Sequence, residues 1–323
     1  MNLEKAKTKC EAIIRQIRGL YVGDELLVKK ILAAALANGH ILFEDNPGLG
    51  KTILAKTLAF SIDCSFSRVQ CTPDLLPADI LGTKVWRQKD GSFELLKGPV
   101  FTNILLVDEV NRSPPKTQSA VLEVMEERQV TIEGETHRCD EPFFVLATQN
   151  PIEYEGTYPL PEAQIDRFLM KLSTGYPKTI DDEKLIIKRR IEWKKDDPTR
   201  DLKPVVSADE FSALQKTVEN DIYIDDVVIQ YISEIVRKTR EHPQVAVGSS
   251  PRGSLALLRA SRALASLNGR DFVIPDDIKT LAVDALAHRL ILKVEDALRR
   301  TDERMIVQEV LGAVPVPKDY RRG

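Results

Sequence analysis

Four cysteines, Cys10, Cys64, Cys71 and Cys139, are all that the 323 residues contain, and none stands in C-x-x-C spacing. Neither a disulfide framework nor a zinc site is expected, and reduced thiols in a cytoplasmic protein are. Long apolar runs are missing as well. None approaches the roughly 20 residues that span a bilayer, and the opening MNLEKAKTKCEAIIRQIRGL lacks the apolar centre of a signal peptide. Its Ile13, Ile14, Ile17 and Leu20 fall at helical spacing, so an amphipathic helix is predicted there. Surplus charge is absent too: Lys+Arg total 46 against Asp+Glu 49, a net charge of -3. With no basic excess, nucleic acid and anionic membranes are disfavoured as partners, although a local basic patch is not excluded. The four histidines, His40, His137, His242 and His288, lack the i, i+4 spacing of a helical metal pair and are assigned no role. What remains is an ordinary globular composition, 43% hydrophobic and 29% charged, with length for two domains.

The first half alternates short apolar runs with helical stretches, the pattern of a parallel sheet covered by helices. Strands are predicted at 40–44, 66–71, 103–109, 143–148 and 167–173. Two inserts interrupt them. Residues 83–97 carry Asp90-Gly91 between alternating segments, and residues 128–138 alternate around Gly134, so each is expected to form a hairpin. Beyond Tyr176 the chain turns helical. Ser207 and Glu210 have capping-box spacing, Gly269 closes a later helix and Pro275 opens another. The expected division is therefore an α/β domain at 1–175 and an all-helical domain at 176–323.

The stretch FEDNPGLGKT, Phe43 to Thr52, comes close to the phosphate-binding pattern G-x-x-x-x-G-K-[ST] but has Asp45 where the first glycine belongs. Such a loop, between a buried strand and a helix N-terminus, turns several backbone N–H groups toward one point. Lys51 would then meet the β- and γ-phosphates and Thr52 would ligate Mg2+. The amides belong mainly to residues 48–52, so the Asp45 carboxylate is expected to point away. Farther on, ILLVDEVNR ends an apolar strand in two acids: Asp108 suits a metal ligand and Glu109 a base that activates water.

Four ordered blocks, NPGLGKT, LLVDEVNRSPPKTQSAVLEVMEERQVTIEG, VLATQNPIEYEGTYPLPEAQIDRF and SPRGSLALLRASRA, resemble the AAA+ ATPases and, within them, the MoxR family, over nearly the whole chain. The resemblance implies a P-loop core with a helical lid, ATP and Mg2+ as cofactors, and a ring, expected as a hexamer, with nucleotide between subunits. It makes Asn150 the polar residue that orients water, Arg167 the arginine finger and Arg252 the lid arginine, acting in its own subunit or across the interface. The nucleotide-binding set becomes Val22, Gly23, Asn46, Pro47, Gly48, Leu49, Gly50, Lys51, Thr52 and Ile53. On this reading the hairpins are the family's inserts, and Trp86, Phe93 and Leu95 either face a client protein or pack the hairpin itself. The implied work is chaperone-like remodelling, activation or metal insertion in a client complex. The implied partner is a separate von Willebrand factor A domain adaptor, because the chain has no room for that domain. A DNA-associated motor and a non-catalytic, nucleotide-gated scaffold are the alternatives.

Overall fold

The computed structural model describes residues 3–89, 91–151, 156–299 and 301–320. Asp90, from the first hairpin signal, and residues 152–155, from the third block, lie outside them. Helices α1 (Leu3–Leu20) and α2 (Glu25–Leu36) lead into β1 (Ile41–Glu44), α3 (Lys51–Ser61), β2 (Phe66–Gln70) and α4 (Pro77–Leu81). Next come the hairpin β3 (Gly82–Arg87) and β4 (Ser92–Lys97), then β5 (Ile104–Asp108) and α5 (Pro115–Glu127). A second hairpin, β6 (Gln129–Ile132) and β7 (Glu135–Arg138), precedes β8 (Phe144–Gln149), α6 (Glu162–Ile165) and β9 (Met170–Leu172). The remainder is α7 (Ile180–Trp193), α8 (Ala208–Asp221), α9 (Asp226–Glu241), β10 (Val245–Val247), α10 (Pro251–Leu267), α11 (Pro275–Leu286), β11 (Ile291–Leu292), α12 (Val294–Leu298) and α13 (Glu303–Ala313).

The five predicted strands form one parallel sheet in the order β2-β5-β8-β1-β9. Side chains alternate along each strand, so a continuous apolar run feeds two cores at once. Ile41, Phe43, Ile104, Leu106, Phe144 and Leu146 face one; Leu42, Leu105, Val107, Val145 and Ala147 face the other. The last strand is shorter than the sequence implied. Arg167 and Phe168 belong to the turn after α6, where their amides donate to Gln164 and Ile165 carbonyls.

The predicted caps are present: Ser207 and Glu210 cap α8 reciprocally, Gly269 takes φ +75° after α10, and Pro275 opens α11. The helices that follow α7 do not build a core of their own. They join α1, α2 and α3 in one continuous apolar cluster in which Ala256, Leu257, Ala260 and Leu264 of α10 are buried alongside Ala33 and Ala34 of α2. The split at Tyr176 remains a proposal about the chain, and the first core crosses it. A buried cation fastens the same two regions: Arg289, pushed down to about 10 by burial, donates to the carbonyls of Asp166 (3.1 Å) and Phe168 (2.7 Å) beside β9.

Candidate functional site

The apolar β1 ends at Glu44 and α3 begins at Lys51, so residues 45–50 must reverse the chain in a tight loop. Gly48 and Gly50 do so at φ +83° and +81°, a region open mainly to glycine. Gly50 caps α3 with no side-chain bond, which leaves the first amides of α3 without a side-chain acceptor and directed at the loop. Lys51 lies among them, its Nζ donating to Asn46 O at 2.8 Å. Burial lowers its pKa, while the charges of Asp45, Asp108 and Glu109 pull it back up.

The acid pair stands beside this loop because β5 lies one strand away from β1, separated by β8. Glu109 adopts φ +56°, a left-handed conformation uncommon for a non-glycine residue. Thr148 on β8 fixes it: the Thr148 hydroxyl accepts from the Glu109 amide at 2.8 Å and donates to Asp108 Oδ1 at 2.6 Å. Arg68 on β2 holds Asp108 Oδ2 at 2.7 Å, and Arg112 holds Glu109 Oε2 at 2.9 Å. Pro47 to Ile53, Asp108, Glu109, Thr148 and Asn150 line one cavity of about 320 Å3. Asn46 is absent from that lining; its side-chain amide donates to Tyr176 Oη at 2.9 Å.

A second cavity, about 440 Å3, shares Gly48, Leu49, Gly50 and Ile53 with the first. Val22 and Gly23 line it, and so do Tyr21, Tyr176, Ile186 and Trp193, which sequence reading passed over. The Thr179/Asp182 capping box announces α7 and could have revealed this wall. Tyr21 is pushed up to about 12 by burial and by the charges of Asp45 and Asp24. Asp45 itself points away from the phosphate loop, as expected, toward residues 173–175.

The two arginines lie elsewhere. Arg167 and Arg252 line a third cavity, about 420 Å3, that has no residue in common with the other two. They share one carboxylate: Glu126 Oε2 meets Arg167 at 2.8 Å and Glu126 Oε1 meets Arg252 at 2.7 Å. Arg128, Arg259 and Arg289 also border this cavity, so it is strongly basic. Sequence reading missed Glu126, Arg68 and Thr148 because, although Glu126 and Thr148 stand inside quoted blocks, no spacing links any of the three to the side chains it holds. On the first hairpin, Trp86 and Phe93 pack edge to face with centroids 5.0 Å apart and stay more than half exposed, whereas Leu95 packs against the second core.

A glycine loop on a parallel sheet, an acid pair at the end of a neighbouring strand and a helical C-terminal region together define a P-loop nucleotide-binding protein of the AAA type. Comparison agrees. The profile of the ATPase family associated with various cellular activities (AAA) matches residues 40–170, and that of the AAA lid domain matches residues 237–310. Chaperone MoxR1 of Mycobacterium tuberculosis is 40% identical over 317 residues, 95% of this chain and 82% of that one. Protein YeaC of Bacillus subtilis is 49% identical over 304 residues, covering 94% and 93%. A crystal structure of a candidate ATPase from Cytophaga hutchinsonii superposes with a TM-score of 0.90 at 40% identity, covering 98% and 97%. The chain belongs to the MoxR family of AAA+ ATPases. Among the described residues, no helix is long and apolar enough to cross a membrane.

Proposed function

We propose that the chain is a Mg2+-dependent ATPase that works as a homo-oligomeric ring, a hexamer, in the cytoplasm. Its work is to remodel, activate or insert metal into a client protein complex, together with a von Willebrand factor A domain adaptor. The exposed Trp86–Phe93 pair is the surface offered to the client. One observation carries the hydrolytic reading: the glycine loop with Lys51, the pair Asp108 and Glu109, and Asn150 all line a single cavity of about 320 Å3.

The site fits a nucleotide because the uncapped start of α3 and a buried lysine ask for an anion. In this reading Lys51 and the amides of residues 48–52 bind the β- and γ-phosphates. Thr52 and Asp108 are hard oxygen donors and would hold Mg2+, which when bound offsets phosphate charge. Arg68, bonded to Asp108 Oδ2, would compete with the metal for that carboxylate. Glu109 takes a proton from a water that Asn150 aligns; the water oxygen bonds to the γ-phosphorus, the bond to the β–γ bridging oxygen breaks, and ADP and phosphate leave. Arg167 and Arg252 line neither nucleotide cavity of their own chain, which favours their reaching a neighbour's γ-phosphate, where they offset developing charge.

The test combines variants. Glu109→Gln should bind ATP without turning it over, and Arg167→Ala should lose turnover while keeping affinity. Mixing Arg167→Ala with Lys51→Ala subunits should restore activity, because one mixed interface regains an intact loop and an intact finger. Wild-type protein, assembled with Mg-ATP, that yields no phosphate would refute the enzymatic reading.

A further inference from the structure

The hydrolytic scheme leaves the Asp45 carboxylate unused. It borders the phosphate cavity and is only 7% exposed, yet both its oxygens are engaged on the other side. Ser173 Oγ donates to Oδ1 at 2.6 Å, and the Thr174 amide and hydroxyl donate to Oδ2 at 2.6 and 2.9 Å. A buried carboxylate is costly unless its lone pairs are filled in this way, and bonds to an ionised acceptor are among the stronger ones. The neighbouring residue repeats the tie through the Asn46–Tyr176 bond.

Residues 173–175 lead directly into the outer wall of the second cavity, formed by Tyr176 and, from α7, Ile186 and Trp193. That wall is loosely held, since α7 buries none of its residues. Polar ties anchor it: Lys178 to Asp24 at 2.7 Å, Arg189 to the Arg18 carbonyl at 2.9 Å, and the Asp45 and Asn46 bonds. Among these, Asp45 is the tie that is buried and belongs to the phosphate loop. The apolar and aromatic wall suits a nucleobase, whose flat face gains from aromatic contact, whereas the loop suits phosphates.

We propose that Asp45 is a positioning residue for the nucleobase: it fastens residues 173–178, and through them Tyr176 and α7, against the phosphate loop, so that base and phosphates are gripped as one unit. The glycine that the pattern would place here could bind phosphate, but it could not hold the base wall. This rests on the nucleotide reading above, and the test separates the two.

Affinity of the full-length chain is measured by calorimetry for ATP, ADP and inorganic tripolyphosphate, which has the phosphates and no base. Asp45→Asn keeps the shape, removes the charge and turns an amide toward the donors. It should weaken ATP and ADP about tenfold, or about 1.4 kcal/mol. Tripolyphosphate affinity should hold or tighten, because a negative charge beside the loop is gone. Ser173→Ala combined with Thr174→Val, which leaves the Asp45 charge in place, should give the same base-selective loss. Trp193 supplies a readout independent of turnover: in a Trp86→Phe background it is the remaining tryptophan, and its emission should change with ADP in the parent and not after Asp45→Asn. A parallel loss for ADP and tripolyphosphate, or no loss for either, overturns the proposal. Wild-type protein that binds neither ATP nor tripolyphosphate overturns the nucleotide reading instead.

Discussion

Glu126 offers the sharpest test of how the arginine cavity works. Its two oxygens are spent on Arg167 and Arg252, and for a neighbour's γ-phosphate to engage those guanidiniums it must displace the carboxylate. The side chains are between a third and a half exposed, so solvent screens the pairs and each is worth ~1 kcal/mol or less. Glu126→Gln keeps the volume and removes that competition, which gives the chain about 1–2 kcal/mol less to undo on engagement, a factor of roughly 5 to 30. The ATPase rate should therefore reach half its maximum at a protein concentration lower by that factor, while urea unfolding of the isolated chain shows a loss of no more than about 2 kcal/mol. Turnover per subunit at saturating protein concentration should stay near wild type. If Glu126→Gln instead abolishes turnover as Arg167→Ala does, the carboxylate aligns the arginines productively and the competition argument fails.

The remaining predictions concern the acid pair and one of two buried histidines, His40. Thr148→Val strands the Glu109 amide and one Asp108 oxygen, a loss of about 1–3 kcal/mol of local order, so kcat should fall more than tenfold with KM for ATP little changed. Thr148→Ser should restore most of it, and equal loss in both variants would assign the effect to packing. Arg68→Ala frees Asp108 Oδ2, so the Mg2+ concentration giving half-maximal turnover should drop; an unchanged value would mean the pair is not competing with the metal. His40 accepts the Val145 amide at Nδ1 and meets the Met125 carbonyl at Nε2, and burial lowers its pKa to about 3. The neutral ring's stabilising contribution is complete above the unfolded value near 6.5 and is lost as pH falls toward 3, at about 1.4 kcal/mol per unit. Unfolding free energies measured from pH 7 to 4 should lose up to about 1.4 kcal/mol per unit of their slope in His40→Gln, while His288, whose pKa burial also lowers, keeps its own share.

The strands and the acid pair were legible because their signals are local. An apolar run buried on both faces, a glycine loop before a helix and two acids at a strand end each occupy fewer than a dozen neighbouring residues, and period-2 alternation does the rest. The shortened β9 was not legible: RFLMKLS is apolar enough for a strand, but the bonds from the Arg167 and Phe168 amides back to Gln164 and Ile165 are a turn's pattern, set by α6. The packing of α2 on α10 joins segments more than 200 residues apart, and neither helix's periodicity names its partner. Polar partners are harder still. Asp45 finds Ser173, Glu126 finds Arg252, and Asp166 finds Arg289, with no spacing rule linking any of them.

Those unreadable pairs tie the readable chemistry to the rest of the chain. Asp166 is next to Arg167 in sequence; its carboxylate accepts from Ser250 Oγ at 3.1 Å, at the cap of the helix that carries Arg252, and pairs with Arg289 at 2.9 Å. The Arg289 guanidinium is nearly enclosed and spans from α11's end to the carbonyls beside β9, so sliding the helical region against the sheet would strand a buried charge, a cost of several kcal/mol. Asp166 and Arg289 thereby link the segment that carries Arg167 to the cap of the helix that carries Arg252. Beyond the other end of β9, the Thr174 amide donates to Asp45 and ties the loop that follows β1 to the segment that follows β9. The tie from the phosphate loop to residues 173–175 stands beyond one end of β9 and Arg167, paired with Glu126, stands just before the other, so the strand joins the loop to that ion pair through bonded neighbours.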